Sequence, residues 1–166
     1  MAITITAANY PAFEGATGVS GKRIALYVNY GESASAETPK WTLIGGCENL
    51  TFTPKVDVQT KQTKDDGMWS TGAVSGKSFE VSADLLMKRD DVGQKAIEKF
   101  IYDDEITTAK NVLQFAKVDL DTKAYLVFKA IPTDFEETSE SDGLVEYSFK
   151  ATGVGKPEEK TDFAVA

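Results

Sequence analysis

The sequence predicts a mainly β domain with one α-helix on its flank and one long inter-strand loop. Several segments place apolar residues on alternate positions, the period of a strand with one buried face. Only the stretch after Leu85 repeats its apolar residues every three and four positions, the period of a helix. The two most regular strands, meanwhile, are separated by far more polar chain than a hairpin turn needs. A length of 166 residues suits one domain with a core, and 42% hydrophobic residues supply enough apolar material to fill it.

Residues 1–20 read as an N-terminal arm: Ile3-Thr4-Ile5-Thr6 alternates briefly before Pro11 and the glycines between Gly15 and Gly21 break the pattern. There is no basic residue before Lys22 and no apolar h-region, so a signal peptide is not expected. Ile24, Leu26, Val28 and Tyr30 then share one face of a strand. Gly31 to Lys40, rich in Ser, Ala and Glu, reads as a mobile surface loop. Trp41 to Ile44 forms a short strand, and Gly45-Gly46 turns the chain. In the next strand Leu50, Phe52, Val56 and Val58 oppose Thr51, Thr53, Lys55, Asp57 and Gln59. Thr60 to Gly76 is the long loop, and alternation resumes with Phe79, Val81, Ala83 and Leu85 against Ser78, Glu80, Ser82 and Asp84.

Val92, Ala96, Ile97, Phe100 and Ile101 form the apolar stripe of the helix, with Asp90 or Asp91 placed to cap its free amides and Tyr102 near its end. Val112 to Val118 and Ala124 to Ile131 are apolar on both faces, as strands covered on both sides should be, and Pro132 is expected to end the second. Val145, Tyr147, Phe149 and Ala151 mark a last strand. From Gly153 onward Gly, Lys, Pro and Glu predict a loose tail, assigned to 156–166, whose removal after Gly155 should leave the fold intact.

Composition narrows the chemistry. Histidine is absent, which removes the commonest general base and metal ligand together. One cysteine, Cys47, cannot form a disulfide framework or a thiolate metal site and reads as a small buried hydrophobe. The net charge of −8 disfavours phosphate contacts with nucleic acid. No apolar run is long enough to span a bilayer, so no membrane anchor is expected. Gly72-Ala-Val-Ser-Gly76-Lys77-Ser78 imitates a phosphate loop, yet it has three residues between its glycines rather than four and leads into a strand instead of a helix. The clusters Asp65-Asp66, Asp103-Asp104-Glu105 and Asp119-Leu120-Asp121 lack the ligand spacing of a calcium loop and read as solvated turns. Neither an enzyme nor a cofactor is expected. The remaining anomaly is Met68-Trp69 in the middle of the polar loop, an aromatic placed where only another molecule could cover it.

In order along the chain, Gly21-Lys-Arg-Ile-Ala-Leu-Tyr-Val28, Trp41-Thr-Leu-Ile-Gly-Gly46, Val56-Asp-Val-Gln-Thr-Lys-Gln-Thr-Lys-Asp-Asp-Gly-Met-Trp69, Gly76-Lys-Ser-Phe-Glu-Val-Ser82 and Tyr147-Ser-Phe-Lys-Ala-Thr-Gly-Val-Gly155 resemble the major tail protein, or tail tube protein, of long-tailed bacteriophages. The likeness covers 21–155; the family often has a glycine where this chain has Lys123-Ala124. The resemblance implies a β-sandwich or half-barrel flanked by one helix, in subunits that form hexameric rings stacked into a tube through which DNA passes without specific binding. It implies a place in the virion after assembly in the host cytoplasm, with tape-measure and tail terminator or tip proteins as partners. Thr60, Lys61, Thr63, Lys64, Asp65, Asp66, Gly67, Met68 and Trp69 would reach a neighbouring subunit. On parity and charge, Asp57, Glu80, Asp84 and Glu146 are candidates to face the lumen. The alternative is a monomeric β-sandwich binding module, carbohydrate-binding or adhesin-like, using Trp41, Trp69 and Tyr27 as stacking platforms.

Overall fold

A computed structural model describes residues 20–65, 67–103 and 111–165. Residues 1–19 of the N-terminal arm, Asp66 and the carboxylates of Asp104 and Glu105 therefore fall outside the described residues. A 3-10 turn, Gly21–Arg23, leads into β1 (Ile24–Asn29), followed by β2 (Trp41–Leu43), β3 (Cys47–Lys61), β4 (Thr71–Leu86), helix α1 (Val92–Tyr102), β5 (Leu113–Asp119), β6 (Tyr125–Thr138) and β7 (Glu146–Lys160). The seven strands form one open antiparallel sheet in the order β2-β1-β5-β6-β7-β4-β3.

The sheet curls around a core drawn from both of its ends. Leu26 and Val28 of β1, Phe79, Val81, Ala83 and Leu85 of β4, Phe115 of β5, Phe128 of β6 and Phe149 of β7 meet Ala96 and Ile97 of α1. These are the alternate positions that the sequence marks as apolar, so the period-two reading correctly identifies the buried face. The β1-β5-β6 end is covered on its second face too, where Tyr27, Trp41, Ala116, Val118 and Val127 pack with Phe163. That accounts for the two-sided apolar character of β5 and β6.

The helix starts where its cap is predicted. The Asp91 carboxylate accepts from the Gln94 amide at 2.8 Å and, with its other oxygen, from the Gly45 amide at 3.0 Å. Gln94, almost fully buried, completes the joint: its side-chain amide donates to the carbonyls of Gly45 and Leu86 at 2.7 and 2.8 Å, and its oxygen accepts from the Lys88 amide. A single polar side chain thus satisfies three backbone groups where the helix meets the β2–β3 turn and the end of β4.

Four expectations are corrected. Pro132 does not end β6; a register shift between Pro132 and Asp134 absorbs the residue that cannot donate, and pairing with β7 continues to Thr138. The loose tail is instead strand as far as Lys160, with Gly155 at φ +76° and Pro157 in the interval where pairing skips from Val154 to Glu158. Beyond it, Phe163 returns over the sheet and its amide donates to the Lys123 carbonyl at 3.0 Å. The Gly31 to Lys40 loop is tied rather than loose: the Asn29 side chain donates to the Ser35 carbonyl and accepts from the Lys40 amide, both at 2.8 Å. Finally, the long loop is only Gln62 to Ser70, because Thr71 to Gly76 pair with Asp57 to Lys61.

Candidate assembly surface

β4 pairs with β7 only from Glu80 to Leu86, while β3 and β4 stay paired as far as Lys61 and Thr71. The far half of this hairpin therefore stands beyond the sheet as a two-stranded ribbon with no third strand. A lone hairpin is marginal in water. This one is tied by the Ser75 hydroxyl, which donates to the Asp57 carbonyl at 3.1 Å, and at its tip by the Gln62 side chain donating to the Gly67 carbonyl at 2.8 Å. Gly67, at φ +61°, takes the left-handed conformation the tip requires.

Along the ribbon the apolar parity continues past the core. Val56, Val58 and Val74 are all more than half exposed, and at the tip Trp69 is 85% and Met68 95% exposed. Of the residues assigned to contact a neighbour, Thr60 and Lys61 end β3, while Thr63, Lys64, Asp65, Gly67, Met68 and Trp69 form the exposed tip; Asp66 is outside the described residues. The structure brings these residues together at one end of the molecule. The valines are missing from the sequence-based assignment, although their shared parity with Leu50 and Phe52 signals them.

The carboxylates form a second surface. Residues directly opposite in an antiparallel ladder share a face. Glu80 lies opposite Thr53, Asp84 opposite Ser148, Asp57 opposite Gly76 and Glu146 opposite Leu86, so Asp57, Glu80, Asp84 and Glu146 all lie on the face turned away from Phe79, Val81 and Leu85. All four are exposed. Asp134 and Glu136, paired with Lys150 and Ser148, join the same face. The bulge at Thr133 shifts the parity of β6, which hides both from a period-two reading. Lys55 and Lys150 are the cations of this region, and Lys55 bonds Glu80 at 2.7 Å with both side chains about half exposed. Such a pair contributes under about 1 kcal/mol. The region stays acidic.

Two aromatics of the stacking alternative are not available: Trp41 and Tyr27 are buried beneath Phe163, at ring distances of 6.2 and 4.8 Å. Cys47 is half-buried, and burial first, then the charges of Asp84 and Glu48, push its thiol above the usual range. Among the described residues no group of three or more His, Cys, Asp or Glu side chains is placed to hold a metal ion, and no helix is long and apolar enough to cross a membrane.

The fold recurs in solved structures. The tail of an empty gene transfer agent particle, refined helically with C6 symmetry, is similar with a TM-score of 0.67 at 13% identity, covering 87% of this chain and 100% of the other. The SPP1 tail tube is similar with a TM-score of 0.67 at 16% identity, covering 89% and 82%. The anti-feeding prophage baseplate is similar with a TM-score of 0.61 at 6% identity, covering 89% and 98%. Comparison with curated protein sequences gives no match. The family model described as phage tail tube protein matches residues 18–159, a span that takes in the helix and every strand as far as the penultimate residue of β7. With the ribbon, the acidic face and the open sheet all inside that span, this chain belongs to the phage tail tube protein family.

Proposed function

We propose that the chain is the structural subunit of a phage tail tube, assembling into hexameric rings that stack into the conduit for DNA delivery. The observation that carries this reading is the ribbon. It places Val56, Val58, Val74, Met68 and Trp69 in water, where a single subunit gains nothing from them and a second copy can bury them. The open sheet supports the same reading: β3 is a 15-residue edge strand, an exposed pairing surface of the kind that assembly covers.

In such a tube the face bearing Asp57, Glu80, Asp84 and Glu146 lines the bore. Carboxylates give the phosphate backbone nothing to bind, and salt screens the repulsion over roughly 8 Å at physiological ionic strength, so DNA passes without specific contacts. A tape-measure protein occupying the bore during assembly, and terminator and tip proteins closing the ends, complete the partners. The subunit acts by assembly and carries no catalytic role.

The test is Trp69→Ala, examined by circular dichroism and sedimentation velocity on one sample. Burial of an anchor aromatic at an interface contributes on the order of 2 kcal/mol, repeated at every subunit. The variant is expected to fold normally and fail to polymerise; tubes indistinguishable from the parent protein would remove Trp69 from the interface.

A further inference from the structure

β3 is the outermost strand of the open sheet, so among the described residues nothing pairs with its outer side. At the other edge β2 is three residues long and offers little to pair with. An edge of 15 residues is far longer than the roughly 5–6 residues of an average strand and is a ready template for edge-to-edge joining. Its charges do not prevent this. If two β3 strands meet antiparallel about Val56, Lys55 of one copy lies opposite Asp57 of the other, and Val56 lies opposite Val56. Opposite charges then attract, and Val56 and Val58, both more than half exposed, gain cover.

What stands against such joining is Pro54, the central residue of β3, with 47–53 on one side and 55–61 on the other. Its pairing with Phe79, and those of Thr53 with Glu80 and Lys55 with Ser78, follow in unbroken register. A residue in an antiparallel ladder turns its N–H and C=O to the same side, and successive residues alternate. Were Pro54 turned towards β4, the Phe79 carbonyl would lack its donor and the ladder would break there; Pro54 is therefore turned outward. Leu50, Phe52, Val56, Val58 and Thr60 share its parity and carry the donors of the free edge. With no N–H at Pro54, the donors of Phe52 and Val56 stand about 13 Å apart, double the ordinary interval, at roughly 3.3 Å per residue. In the antiparallel meeting about Val56, Pro54 of each copy falls opposite Val58 of the other. That Val58 carbonyl finds no donor, and the pyrrolidine ring stands in the gap between the strands.

We infer that Pro54 is the gatekeeper of this edge: it divides a 15-residue pairing surface into two short ones and so keeps free subunits from joining β3 to β3 in an uncontrolled sheet. A subunit meets this hazard from its synthesis onward, whether or not it later enters a tube. The proline acts without cost to the subunit's own ladder, because the side of the strand it disables is the one that β4 does not use.

The test restores the missing donor and then removes one nearby, in the full chain. Pro54→Thr supplies an N–H on a residue suited to strands. Pro54→Thr combined with Val56→Pro moves the break two residues along the same side, where the N–H again faces away from β4. Both are compared with the parent protein by circular dichroism, urea unfolding, thioflavin fluorescence and negative-stain imaging. Pro54→Thr is expected to keep the parent spectrum and unfolding midpoint while forming thioflavin-positive sheets or fibres at a concentration lower by about tenfold or more, since each copy regains a hydrogen bond across the joint. The double variant is expected to return to the behaviour of the parent. A Pro54→Thr variant that forms no such aggregates, or that loses its fold and so marks Pro54 as a packing residue, overturns the inference. A double variant that aggregates as readily as Pro54→Thr overturns it too. Tubes are scored separately in the same images: their absence from the parent protein removes the tube reading above and leaves the gatekeeper standing.

Discussion

Replacing Phe163 by alanine probes the part of the fold that the sequence conceals most completely. Its ring is buried against Tyr27 at 4.8 Å, Tyr125 at 5.1 Å and Trp41 at 6.2 Å, closing the second apolar face of β1, β5 and β6. Truncation of a core phenylalanine costs about 3–5 kcal/mol. The lower end applies here, since Phe163 lies beyond the last strand and can shift to reduce the void, giving about 3 kcal/mol. For a domain of this length that corresponds to a fall in Tm of about 6–12 °C. The assay is urea and thermal unfolding at a concentration where sedimentation finds one small species, because assembly would otherwise inflate the apparent stability. Acrylamide quenching should also rise as Trp41, buried in the parent protein, becomes accessible. Truncation after Gly155 should cost more, since it also removes the pairing of Glu158, Glu159 and Lys160 with Val127, Leu126 and Tyr125. An unchanged midpoint, within about 0.5 kcal/mol, together with unchanged quenching would refute the view that this segment belongs to the core.

Gln94→Ala should cost about 3 kcal/mol in urea unfolding, because it leaves the Gly45 and Leu86 carbonyls and the Lys88 amide without their partner; a loss below about 1 kcal/mol would show that water replaces the side chain. Asp119 is held below the ordinary carboxylate value of 3.8 by hydrogen bonds from the backbone amides of Asp121 and Thr122. Its contribution to the β5–β6 turn is therefore present above that value and lost as pH falls below it, and Asp119→Asn should flatten this part of the acid unfolding curve. An acid limb identical in both proteins would assign the transition to other carboxylates.

Legibility in the sequence followed burial. The Phe79–Leu85 half of β4 and α1 each present one apolar face to a core, and β1 keeps Leu26 and Val28 on one parity, so their periods are written in the residue types, and the cap at Asp91 follows from helix chemistry alone. The Thr71–Gly76 strand was not legible because the ribbon has no third strand and no covered face; Gly72 and Gly76 look like turn residues, and only the register with Asp57–Lys61 makes them strand. Gly155-Lys156-Pro157 reads as tail for a similar reason: what holds β7 beyond it is backbone pairing with β6, to which side-chain pattern is blind. Phe163 is one apolar residue in a polar segment, and nothing local tells which surface it covers. Of the candidate assembly surface, the isolated Trp69 and the parity of Asp57, Glu80, Asp84 and Glu146 are visible. Asp134 and Glu136 were hidden by the Thr133 bulge.

Cryo-electron microscopy of the polymerised protein separates a tube subunit from a monomeric module, because one reconstruction reports assembly, symmetry and the orientation of the sheet together. The expected result is a hollow six-fold tube of stacked rings, with Asp57, Glu80, Asp84 and Glu146 turned to the bore and the Met68-Trp69 tip buried against another copy. A monodisperse small particle at every concentration, or a tube whose bore is net basic and whose ribbon tips stand free in solvent, would contradict it.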